Sequence, residues 1–115
     1  MKIAIGSDHA AYDMKQFIIQ HLKDRGIEVM DVGTNSAERT HYPIYGQRVG
    51  KAVANGEADL GITICGTGIG ISIAANRVPG ARCALIHDNL GARLSRQHND
   101  ANMISFGARL TGAAT

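Results

Sequence analysis

The chain has 115 residues, room for one domain built on one core. Apolar residues make up 44% and charged residues 19%, as in an ordinary globular domain. The formal charge is only +2, the 12 basic side chains are scattered, and aromatics stop at 4% with no Trp, which argues against nucleic acid or a membrane surface as partner.

Lys2–Gly6 is a short apolar run ended by Gly-Ser-Asp, the pattern of a buried strand. From Ala11 the period changes: Met14, Phe17, Ile18 and Leu22 recur at helical spacing, predicting a helix to Arg25 that stops at Gly26. "IEVMDVG" is the second strand. "TNSAERTHYP" carries turn chemistry, and Pro43 suits the first turn of a helix from Ile44 to Asn55, closed by Gly56. "LGITIC" is the third strand, followed by a helix from Gly70 to Asn76 that ends before Pro79-Gly80. "ARCALIH" is the fourth strand, Asn89 to Gln97 the fourth helix and "MISFG" the fifth strand. No repeat, linker or low-complexity segment interrupts residues 1–115, which read as a single domain.

Strands alternating with helices in so short a chain predict an α/β fold of βαβ units, a parallel sheet with helices on both faces. Right-handed crossovers place every strand's C-terminal end on one edge, and ligands of such sheets bind outside that edge. The residues to examine are therefore Ser7-Asp8-His9, Gly33-Thr34, Cys65 to Gly70, His87-Asp88 and Gly107 to Arg109.

The most informative of these stretches is "CGTGIG", residues 65–70, directly after the third strand. Three glycines between a strand and a helix leave amides free to face an anion, and the helix N-terminus adds partial positive charge. Glycine in a tight turn also has a purely backbone use. A dinucleotide fingerprint needs a third Gly or Ala where Ile71 stands, although Asp88 follows the next strand where a ribose-binding acid belongs. A Walker loop needs a Lys that is absent, a cysteine-phosphatase loop needs Arg at Ile71, and a receiver domain needs Asp at Cys65. What remains is a thiol beside an amide-rich pocket. Such amides favour thiolate and offer an oxyanion hole to an enediolate, the charge that develops when a proton leaves carbon next to a carbonyl. Cysteine at a strand end is also a common inert filler, the only reading open to Cys83.

Asp8 and His9 follow the first strand on the same edge, where Asp8 also suits a helix cap. "SRQHNDAN" ends the fourth helix with His98, Asn99, Asp100 and Asn102, a histidine among carboxamides that can move protons near neutral pH or simply a solvated helix end. His21 reads as surface, His41 sits in a turn and His87 is a candidate pocket residue. No close ligand pair such as H-x-x-x-H occurs, so no metal site is expected. No apolar run approaches the ~20 residues of a membrane span, and "MKIAIGSDHA" turns polar too soon for a signal peptide. With two cysteines and no secretion signal, the expected setting is a reducing one, the cytoplasm, with both thiols free.

Taken in order along nearly the whole chain, "GSDHA", "THYP", "ICGTGIGISIAANRVPGAR", "SRQHNDAN" and "FGAR" resemble the ribose-5-phosphate isomerase B and galactose-6-phosphate isomerase family. The resemblance implies a three-layer α/β/α Rossmann-like sheet of five parallel strands in the order 2-1-3-5-4. It implies aldose–ketose isomerisation of a phosphorylated sugar with no metal or organic cofactor. By the same resemblance Cys65 is the general base, amides from Gly66 through Gly68 and Ile69 to Gly70 hold the enediolate, the Thr67 hydroxyl assists, and His98 opens the furanose ring. Asp8, His9, Tyr42 and Asn99 match substrate-binding positions and Arg109 a phosphate contact. The expected assembly is a homodimer or dimer of dimers with shared sites, His98, Asn99 and Arg109 serving the neighbouring subunit. The galactose-6-phosphate enzyme has two unlike subunits, one of which looks much like this chain but lacks the His-Asn-Asp run, so "SRQHNDAN" favours ribose 5-phosphate. Galactose 6-phosphate, allose 6-phosphate, tetrose phosphates and a catalytically impaired sugar-phosphate-binding subunit are the alternatives. Family members continue past the fifth strand with a further helix and phosphate-binding arginines, so this chain, ending at "GARLTGAAT", reads as C-terminally short.

Overall fold

The computed structural model describes residues 1–33 and 42–109, apart from the side chains of Tyr42 and Pro43. Five strands, β1 (Lys2–Ser7), β2 (Glu28–Asp31), β3 (Leu60–Cys65), β4 (Cys83–Leu85) and β5 (Met103–Gly107), alternate with α1 (Tyr12–Asp24), α2 (Tyr42–Ala54), α3 (Ile69–Asn76) and α4 (Asn89–Asn99). Every pairing is parallel and the strand order is β2-β1-β3-β5-β4. This is the expected α/β sheet with the expected order.

The core lies in two layers. On one face Ala4, Val49, Val53, Ala75 and Met103 pack together beneath α2 and α3. On the other, Ile5, Ile64 and Phe106 meet Ala11 and Ile19 at the start and middle of the first helical segment. Alternation along β1 explains the split, because Ala4 and Ile5 project to opposite faces.

Three element readings are corrected in detail. A 3-10 turn (His9–Ala11), capped by the Asp8 side chain, leads into α1, which therefore starts at Tyr12. The face α1 turns inward carries Lys15, Ile19 and Leu22, while Phe17 is 48% exposed. Lys15 is fully buried because its Nζ meets both carboxylate oxygens of Asp31, at 2.8 and 2.9 Å, and lies over the Tyr12 ring. A buried charge is tolerated when paired in this way, so the polar residue took the place in the stripe that apolarity assigned to Phe17. The fourth strand shrinks to Cys83–Leu85, since among the described residues it is the sheet edge and pairs only with β5.

The last helix is set differently from the others. Of its residues only Ser95 is buried, and Leu90 and Leu94 are 58% and 36% exposed. Ala92 and Arg96 line an apolar groove of about 220 Å³ together with Ile62, Met103 and Ile104 of the sheet. Among the described residues no helix is long and apolar enough to cross a membrane.

Candidate active site

Strand order reverses at β1, whose two neighbours are β2 and β3. Such a switch point opens a crevice between chain segments that leave adjacent strands in opposite directions. Here the crevice is a pocket of about 280 Å³. Asp8, His9 and Ala10 enter it from β1, and Cys65, Gly66, Thr67 and Gly70 from β3, with Arg109 from beyond β5.

Cys65 is the last residue of β3, only 6% exposed, and lines this pocket. The Gly68 N–H donates to its Sγ at 3.0 Å. That bond requires a tight reversal, and Gly68 makes it with φ of 84°, a left-handed conformation that costs an L-residue roughly 1–2 kcal/mol. The turn is pinned from below. The Ser105 hydroxyl donates to the Gly68 carbonyl at 2.5 Å, and the amides of Ala108 and Arg109 donate to the carbonyls of Cys65 and Gly66. A Cβ on Gly107 would stand 2.6 Å from the Gly66 carbonyl oxygen and the Thr67 backbone, so turn and strand meet main chain to main chain.

The expectation that the glycine-loop amides are all free is therefore corrected. Gly68 spends its N–H on the cysteine sulfur, and the Ile69 N–H donates to Thr67 Oγ1 at 3.2 Å. Thr67 accepts with its oxygen and keeps its own proton to donate. The Ile69 side chain is 49% exposed and does not line the pocket. Asp8 does both jobs its sequence context offered: Oδ1 accepts the Ala11 N–H at 3.2 Å, and the residue lines the pocket while 8% exposed. Arg109 lies across Gly66, its guanidinium carbon 3.4 Å from where a Gly66 Cβ would be. It lines this chain's own pocket, which it reaches because β5 pairs directly with β3.

His98 and Asn99 are not brought to Cys65. They end α4, which runs back from the C-terminal edge of the sheet and, with 11 residues, is about 16 Å long. Asn99 lies beside Arg82, just ahead of β4, at the sheet's opposite edge. His87 and His21 are exposed, and His87 does not line the pocket as expected. The Tyr42 side chain and His41 lie outside the described residues. Cys83 lies against Thr63, its Sγ 3.9 Å from the threonine hydroxyl, and burial pushes its thiol up to about 11. Among the described residues, no group of three or more His, Cys, Asp or Glu is placed to hold a metal ion.

Sequence reasoning missed Ala10, which walls the pocket with nothing but its backbone and a methyl group, and the Lys15–Asp31 pair. A lysine four residues ahead of Ile19 was the available signal for the pair, masked by its polarity.

Residues 3–115 match the profile of the Ribose/Galactose Isomerase family. The chain is 54% identical over 111 residues to a ribose-5-phosphate isomerase B of Escherichia coli K12, covering 96% of this chain and 74% of that protein. It is 49% identical over 112 residues to the galactose-6-phosphate isomerase subunit LacB of Clostridium acetobutylicum, covering 97% of this chain and 65%, just under two thirds, of that subunit. Among solved structures it superimposes on a ribose-5-phosphate isomerase B of Clostridium thermocellum with a TM-score of 0.98 at 54% identity, over 99% of this chain and 77% of that one.

Proposed function

The chain belongs to the ribose/galactose isomerase family, and from that premise we propose that it interconverts ribose 5-phosphate and ribulose 5-phosphate with Cys65 as the base. The observation that carries the chemistry is Cys65 in the pocket lining with the Gly68 N–H directed onto its sulfur. In the open-chain aldose the thiolate takes the C2 proton, and the C–H electron pair becomes the C1–C2 double bond of an enediolate. Oxygen at C1 gains a proton, oxygen at C2 loses one, and the thiol returns its proton to C1 to give the ketose. Negative charge on those oxygens is stabilised by the remaining loop amides and the Thr67 hydroxyl, within a pocket that pre-positions them. Arg109 suits the phosphate dianion, since a guanidinium binds it through paired charge-assisted bonds. Asp8, His9 and Tyr42 bind the sugar.

His98 opens the furanose ring and Asn99 binds substrate from a second copy, because α4 carries both to the edge of the sheet opposite Cys65. The active unit is therefore a homodimer or a dimer of dimers with shared sites. Two free thiols suit the cytoplasm.

The decisive experiment follows deuterium entry from solvent into a panel of phosphorylated aldoses by NMR. Ribose 5-phosphate is expected to exchange at C2 and convert to ribulose 5-phosphate, and Cys65→Ala is expected to lower turnover at least about a hundredfold. Wild-type turnover in that variant overturns the assignment of the base. The similarity to LacB makes galactose 6-phosphate the leading rival, and exchange on that sugar alone would install it instead. Calorimetric binding without exchange on any sugar would make the chain a binding subunit.

A further inference from the structure

We propose that Arg82 is a positioning residue that holds the end of α4, and with it His98 and Asn99, in place for ring opening. The proposal rests on the ring-opening reading of His98 given above. An α-helix leaves its last four carbonyls without intrahelical donors, and a helix with a buried apolar face is nevertheless fixed by its packing. Here that face is nearly missing, since Ser95 is the one buried residue of α4. The position of the helix is set by its ends. At the start, the Asp88 carboxylate accepts the Gly91 N–H at 2.6 Å. At the finish, Arg82 donates through Nη2 to the Asn99 carbonyl at 2.6 Å and through Nε to the Asp100 carbonyl at 3.3 Å.

Arg82 is itself tied to the sheet. Its N–H donates to Asn102 Oδ1 at 2.8 Å, its carbonyl receives the amides of Asn102 and Met103, and Asn102 Nδ2 donates to the Gly80 carbonyl. The guanidinium thus bridges a fixed strand entrance to the two carbonyls that follow His98. It lies at the negative end of the helix dipole, and its rigid fork spans both oxygens in a way one ammonium cannot reproduce. Asp100, in the left-handed region at φ 50°, is the only described non-glycine residue with positive φ, and Arg82 holds its carbonyl there. A second brace, Arg96 Nη1 to the Ala101 carbonyl at 2.6 Å, lies within the same segment and follows the helix rather than anchoring it to the sheet.

A histidine that reaches a neighbouring copy has to be fixed relative to its own sheet, because small misplacements of a proton donor are costly. Two substrates separate this role from general stability. Ribose 5-phosphate is cyclic and has to be opened. Ribulose 5-phosphate is open-chain, because its C5 oxygen carries the phosphate and no hydroxyl remains to close a five-membered ring on C2. In Arg82→Met, turnover of ribose 5-phosphate is expected to fall roughly tenfold to a hundredfold. Deuterium wash-in at C1 of ribulose 5-phosphate, which needs only the base, is expected to stay within about twofold of wild type at a temperature where the variant is fully folded. Arg82→Lys is expected to lie between. Equal loss in both reactions, or unchanged ribose 5-phosphate turnover in a folded variant, overturns the proposal.

His98→Ala separates the two readings, and is expected to show the same selectivity. If it slows both reactions alike, ring opening by His98 fails. The clamp is then judged by hydrogen exchange at the amides of Asp100 and Ala101, both bonded to the Ser95 carbonyl, which is expected to quicken in Arg82→Met whatever the substrate. Unchanged protection there overturns the clamp.

Discussion

Cys65 and Cys83 stand on strands of the same sheet, yet the first ends its strand beside the crevice and the second lies on the edge strand against Thr63. Burial penalises thiolate at Cys83 and lifts its value from an ordinary 9.0 to about 11, the hydrogen bond with Thr63 opposing only in part. A folded-state value above the unfolded one means the native state holds its proton more tightly. The associated stability is complete below about pH 9 and lost as pH rises from 9 towards 11. Denaturant titrations of wild type and Cys83→Ala at pH 8 and near pH 11 are expected to show the stability gap between them shrinking by about 2 kcal/mol. A gap that stays constant with pH would remove burial as the cause. At this scale Cys65 was legible because the three glycines that follow it left a reactive role open to it. Lys15 was legible only in its helical spacing from Ile19, since its burial depends on Asp31, 16 residues away on β2, and no local pattern announces that carboxylate.

The glycine turn between β3 and α3 is a unit whose shape rests on one residue. A Cβ on Gly68 would lie 2.7 and 2.8 Å from the Phe106 carbonyl carbon and Cα, which are main-chain atoms that cannot swing aside. Gly26 has nearly the same backbone twist, φ 77°, with nothing within 4 Å of an added Cβ. Gly26→Ala is therefore expected to cost about 1 kcal/mol and leave turnover intact, and Gly68→Ala at least about 2 kcal/mol together with most activity. Paired thermal melts and rate measurements check this, and equal costs would mean that the approach to Phe106 carries no weight. Elements themselves were legible wherever the period changed from two to 3.6. Their faces were less so: in α1 Met14, Ile18 and Leu22 do turn to the core, but Phe17 is exposed and Lys15 and Ile19 are buried, because periodicity counts apolarity and the fold counted Lys15 as core. The two-residue-early start of α2 at Tyr42 follows from Pro43, whose fixed φ suits a first turn.

For the whole molecule, parallel pairing sends every crossover helix back across the sheet, so residues at a strand exit and at a helix finish come to rest on opposite edges. Chain order alone tells which residues share an edge; it assigned Asp8, His9, Cys65 and Arg109 to one, and the pocket unites them. It carries no information on whether the far-edge residues serve a second copy, which only a neighbour supplies. Mixing inactive Cys65→Ala and His98→Ala proteins tests that arrangement. If sites are shared across a two-fold interface, a refolded equimolar mixture regains about a quarter of wild-type activity, because half the dimers are mixed and each holds one intact site. Recovery absent from the refolded mixture would return His98 to its own chain or to no role.

The backbone-on-backbone seating of the cysteine turn against Gly107 has a thermodynamic consequence. On this side of the crevice a sugar meets a cast mould rather than a closing hand, and no local folding has to accompany its arrival. Calorimetry of association should accordingly lack the large negative heat-capacity change that marks segments which become ordered around their guests.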